Sequence, residues 1–186
     1  AEGGANPLFL GVDVGRSRDL SVFWLLERVG DTLYTREISA LENVPFSHQE
    51  AELHRFLRLP NLRRALIDQS GLGRQFAERA AERYGGARVG GVTFTAGVKE
   101  ALAYPLKARF EDAKIRIPDD IEVIADIRSV RKEVGAGGTL RFCAERTSDG
   151  HADRFWALAL AVSAADGANS NAGMELLEKE APRLVW

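Results

Sequence analysis

The sequence predicts an α/β fold: a mixed sheet in which an antiparallel three-strand meander is extended by parallel strands, with helices flanking it. Three observations predict it. The first 41 residues read as three strands joined by short turns. A helical stretch follows, and strands and helices then alternate, the pattern that implies parallel pairing. The opening strand is an apolar run bounded by Pro7 and Gly15, as expected of a strand covered on both faces.

In that first strand Leu8, Leu10, Val12 and Val14 share one face, and Phe9, Gly11 and Asp13 share the other. Asp13 is then a carboxylate in the strand expected to be central, where it loses much of its hydration unless a cation or strong donors replace the water. Two readings stay open at this point, a cap for the Gly15 turn or a metal or phosphate site. After the turn, 20–29 reads as the second strand, with Leu20, Val22, Trp24 and Leu26 alternating against Ser21, Phe23 and Leu25. Gly30-Asp31 gives a tight reversal into the third, 32–41. A helix is expected over 48–59, with Ser47 as N-cap, Glu50 three residues on, and Leu53, Phe56 and Leu57 as its apolar stripe. His48 and His54 have no acid or cysteine at metal-ligand spacing and read as surface or packing residues.

The run 63–68 is a short buried strand ending in Asp68, followed by a Gly-rich loop and an amphipathic helix to about Tyr84, stopped by Gly85-Gly86. Next come a strand over 89–95, a helix over 98–112, and a short helix from Pro118-Asp119-Asp120 to about Arg128. Strands 129–134 and 139–145 flank Gly135-Ala136-Gly137-Gly138, a hairpin pattern. A last helix spans about 152–165, and the tail, 166–186, has linker composition apart from a helical piece at 175–180.

At 186 residues the chain suits one domain with a two-sided core, and 45% hydrophobic with 28% charged content is that of an ordinary globular protein. A formal net charge of −2 gives no global positive field, so a polyanion has to be held by local basic residues or metal ions. The lone Cys143 forbids an internal disulfide and suits a reducing compartment. No apolar run approaches the roughly 20 residues of a membrane span, and no signal-peptide pattern is present. The segment 1–7 lacks a starting Met and has linker composition. The expected organisation is a linker over 1–7, one domain over 8–165 and a tail over 166–186.

Meander, helix, then alternating strands and helices is the order of a ribonuclease H-like fold. In that topology the first strand is central and the fourth lies beside it, which brings Asp13 and Asp68 near each other. A late helix crossing the same edge adds a third acid, and Asp153, in Gly150-His151-Ala152-Asp153-Arg154-Phe155-Trp156, is placed for this. Each acid alone has a plain structural reading: Asp68 opens an Asx-turn, and Asp153 complements a helix dipole. All three at one sheet edge is different, because structural acids have no reason to converge. Clustered carboxylates repel and raise one another's pKa, so such a trio persists best around divalent cations. Oxygen-only ligands favour Mg²⁺ or Mn²⁺ over Zn²⁺. Two such ions about 3.5–4 Å apart clamp a phosphodiester, one activating water and one stabilising the leaving oxygen.

On these residues the chain resembles the nuclease domain of phage terminase large subunits, the DNA-packaging motor, notably the Mu-like prophage branch. The resemblance runs from Phe9 to about Ala165 and rests on Gly11-Val12-Asp13-Val14-Gly15, Leu66-Ile67-Asp68, and Gly150-His151-Ala152-Asp153 running into Trp156-Ala157-Leu158-Ala159. Lys99-Glu100 through Phe110-Glu111 and 115–118 also resemble the family's region after the fifth strand. It implies three metal-binding acids at Asp13, Asp68 and Asp153, with an extra acid six residues after the first, where Asp19 stands. It implies two Mg²⁺ or Mn²⁺ ions and cleavage of concatemeric or host-linked double-stranded DNA during genome packaging. An upstream ATPase domain in the parent chain, a small terminase and a portal are implied as partners. The implied location is the host cytoplasm, transiently on the viral procapsid, with no membrane. No Walker A loop occurs in the sequence, so the chain cannot hydrolyse ATP that way.

His151, two residues before Asp153 and beside the last helix, is expected to act in the site without being a primary metal ligand. The positive end of a helix dipole keeps its ring neutral, able to accept a proton or hydrogen-bond a ligand carboxylate. Capping the helix or packing on Trp156 is its alternative role. Arg16, Arg18 and Arg74 are the expected nucleic-acid contacts; Lys99, Lys107 and Arg109 read as ordinary helix-face cations. Rival readings share the fold: a resolvase- or transposase-type nuclease, an actin- or sugar-kinase-like phosphate loop at Gly11–Gly15, or a docking module without catalysis. The kinase-like reading needs a second domain for which this length leaves no room, and retention of all three acids speaks against the docking module.

Overall fold

The structure, a computed structural model, describes residues 5–15, 20–134, 140–144 and 152–168. A six-stranded sheet carries the fold, in the order β5-β4-β1-β2-β3-β6. Strands β1 (Leu8–Asp13), β2 (Ser21–Val29) and β3 (Thr32–Leu41) form the antiparallel meander. On the other side of β1, β4 (Leu62–Asp68) pairs parallel to it and β5 (Val89–Val92) parallel to β4. A two-residue strand, β6 (Ile115–Arg116), pairs parallel to β3 and had no counterpart in the sequence pattern. Two residues carry no readable alternation.

Helices cover both faces. Leu10, Val12 and Val14 pack with α1 (Phe46–Leu57) and α2 (Gly73–Tyr84), whose buried residues include Leu53, Phe56, Phe76 and Ala77. Phe9 faces the other side, with α3 (Ala96–Glu111), α4 (Ile121–Ser129) and α5 (Asp153–Gly167). The alternation read along β1 is thus the partition of the core. A separate antiparallel pair is made by β7 (Val130–Val134) and β8 (Leu140–Ala144). The Gly135–Gly138 turn between them and the 175–180 helical piece lie outside the described residues.

Helix α5 is buried almost all round, which explains its lack of a polar face. Small residues let it lie directly on β1. A Cβ added at Gly11 would stand 1.9 Å from the Ala157 carbonyl oxygen and 2.4 Å from the Ala161 nitrogen, so only glycine permits this approach. At its far end Arg28 donates to the Ala165 carbonyl, and Arg109 pairs with Asp166. Among the described residues no helix is long and apolar enough to cross a membrane.

Three local expectations are corrected. The first helix starts at Phe46 with Pro45 as N-cap, and Ser47 makes no capping bond. Packing of Phe46 on Phe76, 4.2 Å between centroids, pulls the start forward, and Glu50 pairs with Arg79 at 3.2 Å rather than reaching back. Strand β5 ends at Val92 because Asp68, its last partner, ends β4. Beyond it Thr93 accepts from Gln69, and the Phe94 N–H donates to Ser70. The following helix starts at Ala96, two residues early, with the Thr95 hydroxyl accepting the Val98 N–H at 3.2 Å. His54 is a packing residue, its Nδ1 3.1 Å from the Tyr84 hydroxyl, and His48 is exposed.

Candidate active site

Strand register alone brings two of the acids together. Val12 pairs with Ile67 across the parallel β1–β4 ladder, so Asp13 and Asp68, one step further on, leave the sheet at the same edge. Gly11 and Leu66 are also partners, and Leu66 packs on the α5 side. With a period of two, Asp13 and Asp68 share that face. The third acid arrives by matching lengths. From Gly11 to Asp13 is about 6.6 Å of strand, and from Ala157 back to Asp153 is about 6.0 Å of helix. With Ala157 seated on Gly11, α5 runs antiparallel to β1 and its first residue comes level with Asp13.

All three carboxylates are buried, with exposures of 8%, 6% and 8% for Asp13, Asp68 and Asp153. Burial pushes the Asp13 carboxyl well above its ordinary range, and the charges of Asp153 and then Asp68 push it further. Burial also raises Asp68, opposed by hydrogen bonds from Ser70, whose N–H donates to Oδ1 at 2.9 Å. The Asx-turn and the place at the shared edge are therefore both real for Asp68. Among the described residues no three His, Cys, Asp or Glu side chains close around a single point. The donor chemistry, carboxylate oxygens only, fits a hard divalent cation.

Two residues that the sequence reading had not singled out for the site belong to its surroundings. Lys99 on α3 holds its ammonium 4.8 Å from the Trp156 ring centroid and 5.5 Å from that of Phe94, and its charge lowers the pKa of both Asp13 and Asp68. Trp156 sits one helical turn after Asp153, which places this cation at the acids. Among the described residues it has no ion-pair partner within 4.0 Å. In sequence it was one helix-face cation among several. Asp126 on α4 is the other: it bonds the first turn of α5, and its charge adds to the upward push on Asp13. No motif marked it. Arg74 is exposed in the first turn of α2, on the opposite face of the sheet from α3 and α5. Arg16, Arg18, Asp19 and His151 lie outside the described residues.

The model of the terminase RNaseH-like domain matches residues 10–165. The chain belongs to that family. It is 34% identical over 118 residues to the Mu-like prophage FluMu protein gp28 of Haemophilus influenzae, covering 62% of this chain and 23% of the relative, so it spans under a quarter of that protein's length. Among solved structures it is similar to the large terminase nuclease from thermophilic phage G20c with bound magnesium, at 25% identity and a TM-score of 0.70, covering 85% of this chain and 81% of that one. The large terminase nuclease domain of Thermus phage P74-26 aligns at 23% identity and a TM-score of 0.69, covering 85% and 79%. The fold is thus the ribonuclease H-like nuclease-domain fold of terminase large subunits.

Proposed function

We propose that this domain is a metal-dependent endonuclease domain of a terminase large subunit, hydrolysing double-stranded DNA at Asp13, Asp68 and Asp153 during genome packaging. One observation carries the reading. Three acids from β1, β4 and α5 are buried at one sheet edge, where their mutual repulsion costs stability unless a ligand rewards it. Asp13, Asp68 and Asp153 would hold Mg²⁺ or Mn²⁺, with Asp19 joining from the segment after β1. The magnesium bound by the related G20c nuclease supports that class of ion. When bound, a pair of such ions supplies the Lewis-acid catalysis that phosphodiester hydrolysis needs.

The chain's own residues do the rest. Lys99, held over a pair of aromatic rings, meets a DNA phosphate brought to the acids and fixes it by charge. Arg16, Arg18 and Arg74 contact the backbone on either side, which gives binding without base reading. His151, before α5, accepts the proton released by the attacking water. An upstream ATPase domain in the parent chain feeds the DNA, with a small terminase and a portal as further partners, in the host cytoplasm and on the procapsid.

The test is supercoiled plasmid incubated with the protein and Mn²⁺, against a chelator control. Metal-dependent nicking and linearisation without a fixed cut site is the expected result. Intact plasmid over a broad range of folded protein overturns autonomous nuclease activity.

A further inference from the structure

Helix α5 presents Asp153 from its first turn, so whatever fixes that turn fixes the acid. The first turn of a helix leaves N–H groups with no partner inside the helix, and an N-cap side chain normally accepts those of the second and third residues. Here the N-cap is Ala152, which has no acceptor and lies in the left-handed region at φ 63°. The first bond within the helix runs from the Trp156 N–H to the Ala152 carbonyl at 3.1 Å, which leaves the N–H groups of Arg154 and Phe155 to be satisfied otherwise.

The Arg154 N–H is satisfied from a different element. Asp126, on α4, accepts the Arg154 N–H through Oδ2 at 3.1 Å, and the Phe155 backbone amide favours the charged form of the same carboxylate. The Arg154 side chain locks the two helices together. Its guanidinium lies 2.7 Å from Glu122 and 3.9 Å from Asp126, residues one turn apart on α4. Asp126 therefore accepts from the second residue of α5, a group that an N-cap serves, from 28 residues away in sequence.

We infer that Asp126 is a positioning residue for the metal centre, an N-cap supplied by α4 that holds the first turn of α5 and sets Asp153 against Asp13 and Asp68. A cap on the helix's own chain would compete with the acid beside it for the same N–H groups. Capping from α4 assigns the two tasks to different carboxylates. It also couples the metal centre to α4, which runs directly into β7 and the two-stranded sheet. The inference rests on the proposed metal site and is tested so that the two fail separately.

Mn²⁺ affinity of the folded domain is measured by calorimetry for wild type, Asp126→Ala and Asp126→Asn. A positioning cap predicts a loss of roughly 10- to 100-fold for Asp126→Ala, the usual effect of removing a group that orients a metal ligand. It predicts recovery to within about threefold of wild type for Asp126→Asn, since asparagine caps as well as aspartate. Should Asp126→Ala not fold, Asp126→Ser takes its place, its hydroxyl falling one bond short of the α5 N–H groups. Equal affinity in wild type and either truncated variant overturns the role of Asp126 alone. A loss in Asp126→Asn as large as in the truncation also overturns it, because the charge and not the cap would then matter. Absence of Mn²⁺ binding by wild type overturns the metal site itself, and this inference with it.

Discussion

Replacing Gly11 by alanine tests the packing on which the site depends. The new Cβ would stand 1.9 Å from the Ala157 carbonyl oxygen, 2.4 Å from the Ala161 nitrogen and 3.0 Å from the Ala161 Cα. These are backbone atoms, so no side-chain rotation relieves the overlap. Either β1 or α5 must give way by roughly 1.5 Å to restore van der Waals contact. Overpacking of this kind costs about 1–3 kcal/mol, which for a domain of this size lowers the melting temperature by roughly 2–12 °C. The same displacement carries Asp153 away from Asp13, and a misplacement of about 1 Å costs on the order of 100-fold in rate. Gly11→Ala is therefore expected to fold, melt earlier, bind Mn²⁺ more weakly and cut plasmid at least 100-fold more slowly, read by thermal melts, Mn²⁺ titration and gel assay. A variant that melts within 1 °C of wild type and keeps its Mn²⁺ affinity would refute the seating of α5 on β1.

Three further outcomes are expected. Asp13→Asn should abolish cutting yet raise the melting temperature without metal at neutral pH, since the buried charge and its repulsion by Asp153 and Asp68 are removed. Because burial raises the folded pKa of Asp13 above its unfolded value, its stabilising contribution is full below the unfolded carboxylate range and is lost as pH rises through the folded value. The difference in melting temperature between Asp13→Asn and wild type should therefore grow from acid to neutral pH in chelator, and a flat difference would contradict it. Lys99→Met should keep Mn²⁺ affinity at or above wild type while lowering kcat/KM about tenfold through loss of a charged phosphate contact; unchanged kinetics would remove Lys99 from substrate binding. His151→Ala should slow cleavage roughly 100-fold with little change in metal affinity, the size expected of a general base; rates within a few-fold of wild type would leave it a capping or packing role.

The sheet was legible because its signals are local and periodic. The alternation of Leu10 and Val12 against Phe9 and Gly11 is the same fact as the two-sided core. Asp13 and Asp68 were legible because each closes an apolar strand, where a charged residue stands out, and Asp153 because it opens an alanine-rich apolar helix. What escaped was set by contacts between distant segments. Asp126 lies in an ordinary amphipathic helix, and nothing along the chain shows that Ala152 leaves the α5 cap to be filled from there. Lys99 looks like any helix lysine until Phe94 and Trp156 close on it from two other elements. Ser47 was misread for the converse reason: its capping motif is local, and the Phe46–Phe76 contact overrides it.

Anomalous diffraction from a crystal of the domain soaked in Mn²⁺ tests the central claim most directly. The account predicts manganese peaks within about 2.3 Å of carboxylate oxygens of Asp13, Asp68 and Asp153. Manganese bound elsewhere, or no peak at this edge at millimolar metal, would contradict it.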